Sequence, residues 1–445
     1  MTTQARSPSI DATHAPELVS WVESAHEPSG DFPIQNLPLG CARIPGAGAR
    51  PCVAIGADVL DLVALGDAGL LGESLLPVVR RCAADESLNP LLGAGRKRLA
   101  EVRRTVSLAL RADGAEGARA RAVRQVLVHP AAQVEMMLPV RIGDYTDFYA
   151  SIDHARRVGS LFRPDEPLLA NYRWVPIGYH GRASSIVASG TAVRRPTGQV
   201  RDDQGTPPRV RPSQRLDYEA EVGIIIGAGN PLGASIAIGD AESHVAGLCL
   251  VNDWSARDIQ AWEYQPLGPF LSKSFATTVS PWIVTVDALA PFRTASRARV
   301  SDEPLPLAYL SDARDLAAGG FDVTLEIELS SARMRREDVP PLRMSRSRLA
   351  SMYWTVAQLV THHASNGTNL RTGDLLATGT VSGPDDDARG CLLERTNGGR
   401  APITLPTGEQ RTFLAAGDEV VLRGWCERAG ARRIGFGTCR GTISD

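Results

Sequence analysis

Lysine is nearly absent from this chain of 445 residues: of 48 basic residues only Lys97 and Lys273 are lysine, and the rest are arginine. An excess of charge of either sign is missing too. The formal net charge of −2 excludes the basic footprint of a nucleic-acid binder and a strongly basic membrane surface. No apolar run approaches the roughly 20 residues of a membrane span. The opening MTTQARSPSIDATHAPELVSW lacks the basic and apolar blocks of a secretory signal. The seven cysteines (Cys41, Cys52, Cys82, Cys249, Cys391, Cys426 and Cys439) are scattered, with no CxxC spacing. Neither a disulfide frame nor a zinc site is expected; reduced thiols in a cytoplasmic protein are.

What is present fits a soluble globular protein. Hydrophobic residues make up 43% and charged residues 22%, and the length allows two or three domains with a substantial core. Arginine-favouring codons account for the scarcity of lysine, and Lys97 in GAGRKRLA reads as a solvated surface charge. Lys273 in PLGPFLSKSF has apolar, Gly and Pro neighbours. There a compact ammonium can do what a guanidinium cannot.

Residues 1–30 carry no durable periodicity and read as a loose extension. DFPIQNLPLG through PCVAIGADVLDLVAL shows short β-type runs punctuated by Gly, Pro and Asn. LLGESLLPVVRRCAADESLNPLL and the following Arg-rich stretch have apolar residues at helical spacing. New material opens at VEMMLPVRIGDYTDFYA, which places a domain boundary near 139. Beyond it β-type segments dominate, among them LDYEAEVGIIIG, AGLCLVNDW and FDVTLEIELS. SRLASMYWTVAQLVTHHASNG is the exception, an amphipathic helix ending near Gly367. The expected organisation is an extension (1–30), a small N-terminal β domain (31–139) and a large β-rich domain with a few helices (140–445).

In LDYEAEVGIII the alternation of a strand puts Asp217, Glu219 and Glu221 on one face, with Tyr218, Ala220, Val222 and Ile224 on the other. Buried, such acids need a proton, a base or a cation. Taken alone, ExE is read as a pair of solvent-facing acids on an edge strand. Two other segments supply acids. IGDYTDFYASIDHARRVGSLFR carries Asp147, Tyr149, His154 and Arg163, and alone reads as a loop with an aspartate helix cap. In LVNDWSARDIQAWEYQPLGPFLSKSF the four–three–four spacing would put Asp253, Arg257, Gln260 and Tyr264 on one helix face. That face is either an exposed Asp–Arg stripe or a wall for a carboxylate-bearing ligand. Together, Asp147, Glu219, Glu221 and Asp253 would suit a hard divalent cation: Ca²⁺, Mg²⁺ or Mn²⁺.

These segments, with DFPIQNLPLG, VPIGYHGRASSIV, RRPTGQ, LRTGDLLATGT and GFGTCRG, resemble the fumarylacetoacetase (fumarylacetoacetate hydrolase) family over most of the chain. NDWSARDIQAWEYQPLGPFLSKSF is the most specific of them, and 295–345 matches least. Ala150, Ile152 and Asp153 depart from the more polar pattern usual before the histidine. The resemblance implies a mainly β (α+β) fold: an SH3-like N-terminal β-barrel followed by a β-roll or β-sandwich catalytic domain, acting as a homodimer. It implies metal-dependent hydrolysis of the C–C bond of 4-fumarylacetoacetate, the last step of tyrosine and phenylalanine breakdown. The related possibilities are another acylpyruvate or β-diketone hydrolase, a decarboxylase, or a non-catalytic binding protein on the same scaffold.

Carried over residue by residue, the resemblance makes Asp147, Glu219, Glu221 and Asp253 the ligands of Ca²⁺. A second, smaller cation such as Mg²⁺ would sit at Asp253, Lys273 and Thr277, with Lys273 offering its backbone carbonyl. His154 becomes the base that activates water and Glu394 its orienting carboxylate. Lys273 and Arg257 face the departing carbanion. Tyr149, Arg163, Gln260, Tyr264 and Thr380 contact substrate. Asp217 matches no ligand position and is expected in a loop or solvent role.

Overall fold

A computed structural model describes residues 9–203 and 205–445 of the chain. At its centre runs strand Ala220–Ile226, buried along its whole length, as a short β-branched run demands. It pairs antiparallel with Val245–Asp253, Ala220 opposite Asn252 and Glu221 opposite Val251. On its other side it pairs antiparallel with Leu375–Ala377. Outward from these, the sheet grows to eight strands. Tyr145–Phe148 lies parallel to Leu375–Ala377, and Gly178–His180 closes that edge. On the far side Thr277–Val279 pairs with Val245–Asp253 and Ile186–Ala188 lies parallel to it at the other edge.

The two faces of this sheet have different neighbours. Ala220, Val222, Ile224, Leu248 and Leu250 pack on Leu325, Ile327, Leu422 and Phe436. The latter come from a second, five-stranded sheet that includes Thr324–Ser330, Glu419–Cys426 and Ile434–Ser444. On the opposite face Ile225, Cys249, Val251, Leu375 and Ala377 share a core with Leu60, Leu91, Leu92 and Val102 of the N-terminal part. There a five-stranded antiparallel half-barrel is assembled from Leu39–Ile44, Gly48–Ile55, Asp58–Asp61, Val128–Pro130 and Glu135–Met136. Helices Leu76–Ala84 and Arg96–Leu110 accompany it. The helical stretch expected before residue 96 is broken in two, Leu76–Ala84 and Asn89–Gly93, each with a proline in its first turn. Proline fits that position and resists continuation from the preceding turn.

Two expectations need correction. Of the supposed loose extension, residues 1–8 lie outside the described residues, but 9–30 form a pinned strap. Its Trp21 is buried and donates from Nε1 to the Ala109 carbonyl at 2.7 Å. Buried Arg103 holds Thr13 through Nε at 2.9 Å and the carbonyls of Gln35 and Asn36 at 2.6 Å each. The pinning comes from polar contacts scattered in sequence, which periodicity does not register. The amphipathic stretch before Gly367 is a 3₁₀ turn over Leu349–Ser351 and an α-helix over Val356–Ala364 alone, where Thr355 and Gln358 form a capping box. Tyr353 and Trp354 just before it are buried in the core, so packing of the rings overrides the helical spacing.

Candidate active site

On the face shared by Glu221, Gly223 and Ile225, apolar packing gives way to acid at one end of the sheet. Asp147 follows Tyr145 by two positions, Asp253 follows Val251, and Glu221 precedes Gly223, so the alternation of each strand continues the same face. The ligand atoms of Asp147, Glu219, Glu221 and Asp253 lie within 4.8 Å of one another, and all four residues are buried. Main-chain contacts set their positions: Asp253 N–H donates to the Glu219 carbonyl at 3.2 Å, and Gly379 N–H donates to Asp147 Oδ1 at 3.1 Å. Gly379 has φ +74°, and a Cβ there would sit 2.0 Å from the Phe148 carbonyl. Only glycine permits this approach.

Glu221 is fully buried, and neither of its carboxylate oxygens has a hydrogen-bond partner among the described residues. Burial, with the charges of Asp147 and Asp253, pushes its pKa far up. Burial and Asp253 raise Asp147 to about 8. Glu219 goes the other way: burial favours the proton, but Arg257 and Lys273 together hold its pKa down. Lys273 Nζ donates to Glu219 at 2.5 Å and to Asp253 at 2.9 Å, and Arg257 Nη2 lies 2.5 Å from Glu219 Oε1. Two buried cations thus face five buried carboxylates, counting Asp217 on Arg257. An all-oxygen donor set with excess negative charge and an orphaned carboxylate fits a hard divalent cation.

Asp217 is fully buried, which corrects the expected loop or solvent role. Asp217 shares Arg257 with Glu219, across the interruption of the strand at Tyr218. It accepts from Arg257 Nε at 2.9 Å and from the Leu392 and Leu393 amides at 2.7 and 2.9 Å. The four-residue stripe is corrected as well. Asp253 ends a strand and the helix spans Arg257–Glu263, leaving Arg257 and Gln260 as its paired members, Nη1 to Oε1 at 3.0 Å. Tyr264 caps that helix, its ring centroid 6.5 Å from that of Phe162.

His154 lies in helix Ile152–Phe162, started by Ser151, whose hydroxyl accepts from the His154 amide at 3.2 Å. Its Nδ1 is 2.7 Å from Glu394 Oε2. Burial pushes the Glu394 pKa up, but His154 and hydrogen bonds from His154, Ser382 and Cys391 prevail and keep it low. With Glu394 ionised, Nδ1 carries the proton and donates it. Ser382 Oγ reaches the same oxygen at 2.8 Å, and Cys391 Sγ lies 3.3 Å away. The Tyr149 ring packs edge-on against His154, centroids 5.3 Å apart.

Arg163 ends that helix, half-buried, its Nε without a partner among the described residues. Thr380 is buried, its hydroxyl without a partner among the described residues. Thr277 meets Asp253 as a hydroxyl donor at 2.8 Å. Sequence reasoning missed the roles of Ser382, Cys391 and Tyr179. Tyr179 donates to Asp253 Oδ2 at 2.8 Å; GYHG offered a polar aromatic beside a glycine as its only signal.

Comparison with known proteins follows the same outline. Residues 144–444 match the family model "Fumarylacetoacetate (FAA) hydrolase C-terminal", and residues 35–139 match "Fumarylacetoacetase N-terminal". The chain is 46% identical over 431 residues to a fumarylacetoacetase of Oryza sativa subsp. japonica, covering 96% of this chain and 97% of that one. It is 44% identical to the Rattus norvegicus and 43% to the Homo sapiens fumarylacetoacetase, over 93% of this chain and 96% of each. A solved fumarylacetoacetate hydrolase from Exiguobacterium antarcticum shares the fold, with TM-score 0.50 and 17% identity over 92% of this chain and 99% of that one.

Proposed function

The chain belongs to the fumarylacetoacetase family, and from that premise we propose how its buried groups divide the work. It hydrolyses 4-fumarylacetoacetate to fumarate and acetoacetate, which completes the breakdown of tyrosine and phenylalanine. Breaking this C–C bond means adding water to one carbonyl of a β-diketone and expelling an enolate carbanion. Both events gather negative charge.

Asp147, Glu219, Glu221 and Asp253 would hold a hard divalent cation, Ca²⁺ or Mg²⁺; when bound it supplies Lewis acidity to the diketone oxygens. His154 takes the proton from water at Nε2, and Glu394 holds the ring in the tautomer that leaves Nε2 free. Lys273 and Arg257, kept charged by their acids, face the carbanion, with Gln260 seated on Arg257. Tyr149, Arg163, Tyr264 and Thr380 grip the carboxylates and carbonyls of the substrate. A second, smaller cation at Asp253, Lys273 and Thr277 would use the carbonyl of Lys273 and the hydroxyl oxygen of Thr277, since the ammonium already donates to Asp253.

The 31–139 unit as an SH3-like barrel, the catalytic unit from 140, a homodimer and a cytoplasmic home complete the proposal. The single supporting observation is the acid cluster with its orphaned Glu221, beside a histidine–carboxylate pair whose histidine is close enough to act on the charge of Glu219. The test is loss of 4-fumarylacetoacetate absorbance by purified protein. Activity should vanish with chelator and return with Ca²⁺ or Mg²⁺ supplied separately; full turnover in chelator would remove the cation from the reading.

A further inference from the structure

A ring nitrogen of His154, Cys391 Sγ and a Glu394 carboxylate oxygen form a second set of ligand atoms within 4.8 Å of one another, all buried. Its chemistry differs from that of the acid cage. Catalysis as read above uses the histidine and the glutamate and asks of the thiol only its hydrogen bond to Glu394. We propose that this trio is an inhibitory site for Zn²⁺. Carboxylates alone select hard ions; a thiolate, an imidazole nitrogen and one carboxylate oxygen select zinc.

Tetrahedral zinc, with Zn–S near 2.3 Å and Zn–N or Zn–O about 2.0–2.2 Å, needs its donors roughly 3.4–3.7 Å apart. His154 Nδ1 and Glu394 Oε2 are now at 2.7 Å, and Cys391 Sγ is 3.3 Å from the same oxygen. Each of these two edges has to open by less than about 1 Å to take the ion, with the fourth position left to water. Cys391 pairs with Glu219 through an isolated main-chain bridge, so the two sites are neighbours on the backbone and share no ligand. Both can be filled at once.

Binding conserves electrons and releases one proton. A Zn–S bond forms as the S–H bond breaks, and the thiol proton goes to solvent. Nδ1 gives its lone pair to zinc; the hydrogen it carried is exchanged through water to Nε2. Nε2 then has no lone pair to accept a proton from the attacking water. This last step rests on the reading of His154 as base, whereas the binding itself does not.

Enzyme loaded with Ca²⁺ and titrated with Zn²⁺ should lose activity in a way that excess Ca²⁺ does not relieve and chelation followed by Ca²⁺ reverses. Measured against its own zinc-free rate, Cys391→Ser should be at least tenfold less sensitive. Cd²⁺ alone, added to the Ca²⁺-loaded protein, should raise an ultraviolet thiolate-to-cadmium absorption in the wild type that the variant lacks. That difference needs no activity, so it stands even if His154 is not the base. Should Cys391→Ser not fold, Cys391→Ala supplies the same difference spectrum. Equal zinc sensitivity in the variant, relief by Ca²⁺, or an unchanged cadmium band would overturn the site.

Discussion

A carboxylate with no donor on either oxygen, as at Glu221, must keep its proton or wait for a cation. The consequence for stability has a definite sign. The Asp147 pKa rises from its ordinary 3.8 to about 8, and Glu221 rises with it. Cation-free folded protein therefore holds protons that the unfolded chain releases, and its stability falls as pH rises from about 4 to about 8. Ca²⁺ at a hundredfold excess over its Kd should restore about 2.7 kcal/mol at neutral pH. Urea midpoints measured across that range, in chelator and in Ca²⁺, check both signs; cation-free stability that rose with pH would mean ionised, solvated acids. At the same scale, His154→Ala should lower kcat by about 10²–10⁴. Glu394→Gln should lower kcat with KM little changed, because the amide no longer fixes the tautomer of the ring. Steady-state kinetics of the two variants separate these effects. The His154–Glu394 contact spans 240 positions, so no local pattern could reveal it; only the family resemblance joined the two.

Among the elements, the alternation of LDYEAEVGIII was legible: Tyr218, Ala220, Val222 and Ile224 enter one core, while Glu219 and Glu221 join the acid cluster. Asp217, beyond the interruption at Tyr218, has a role that the alternation did not show. It ties Arg257, at the start of one helix, to the first amides of Leu392–Arg395, the turn that carries Glu394. Asp217→Asn keeps the shape but removes the charge and one acceptor. Arg257 retains Glu219, so the expected cost is about 1–3 kcal/mol of stability. Because the turn also positions Glu394, kcat should fall more than KM changes. Chemical unfolding and kinetics of that one variant decide it; wild-type kcat beside a large stability loss would make Asp217 a structural residue alone. The helix face drawn through Asp253, Arg257, Gln260 and Tyr264 did not form. Spacing by threes and fours does not show where a strand ends, and pairing of Asp253 with Thr277 holds it in the sheet.

Across the whole molecule, the reading that places a boundary near 139 carried no sign of how strongly the segments on either side of it are coupled. Ile225, Cys249, Val251, Val279, Ile283 and Leu375 turn their side chains into the core of the N-terminal part, on the sheet face that carries the acids at its end. Leu39 and Ile283 exchange main-chain hydrogen bonds at 2.9 and 2.8 Å. Asn36 Nδ2 donates to the Gly435 carbonyl at 2.7 Å, and Asn89 Nδ2 to that of Thr372 at 2.9 Å. At about 1.5–3 kcal/mol for each fully buried large aliphatic side chain, uncovering that face costs on the order of 10 kcal/mol. A whole domain is commonly stable by only about 5–15 kcal/mol. A chain beginning at residue 140 should therefore fail to fold, staying aggregated or binding a hydrophobic dye, although it retains every proposed catalytic residue. The full chain should unfold in one cooperative transition, with near-ultraviolet circular dichroism and tryptophan fluorescence changing together. A soluble, cooperatively folded 140–445 fragment that binds Ca²⁺ would show that the acid cage needs no support from the N-terminal layer. Separate transitions in the full chain would show the same of the two cores.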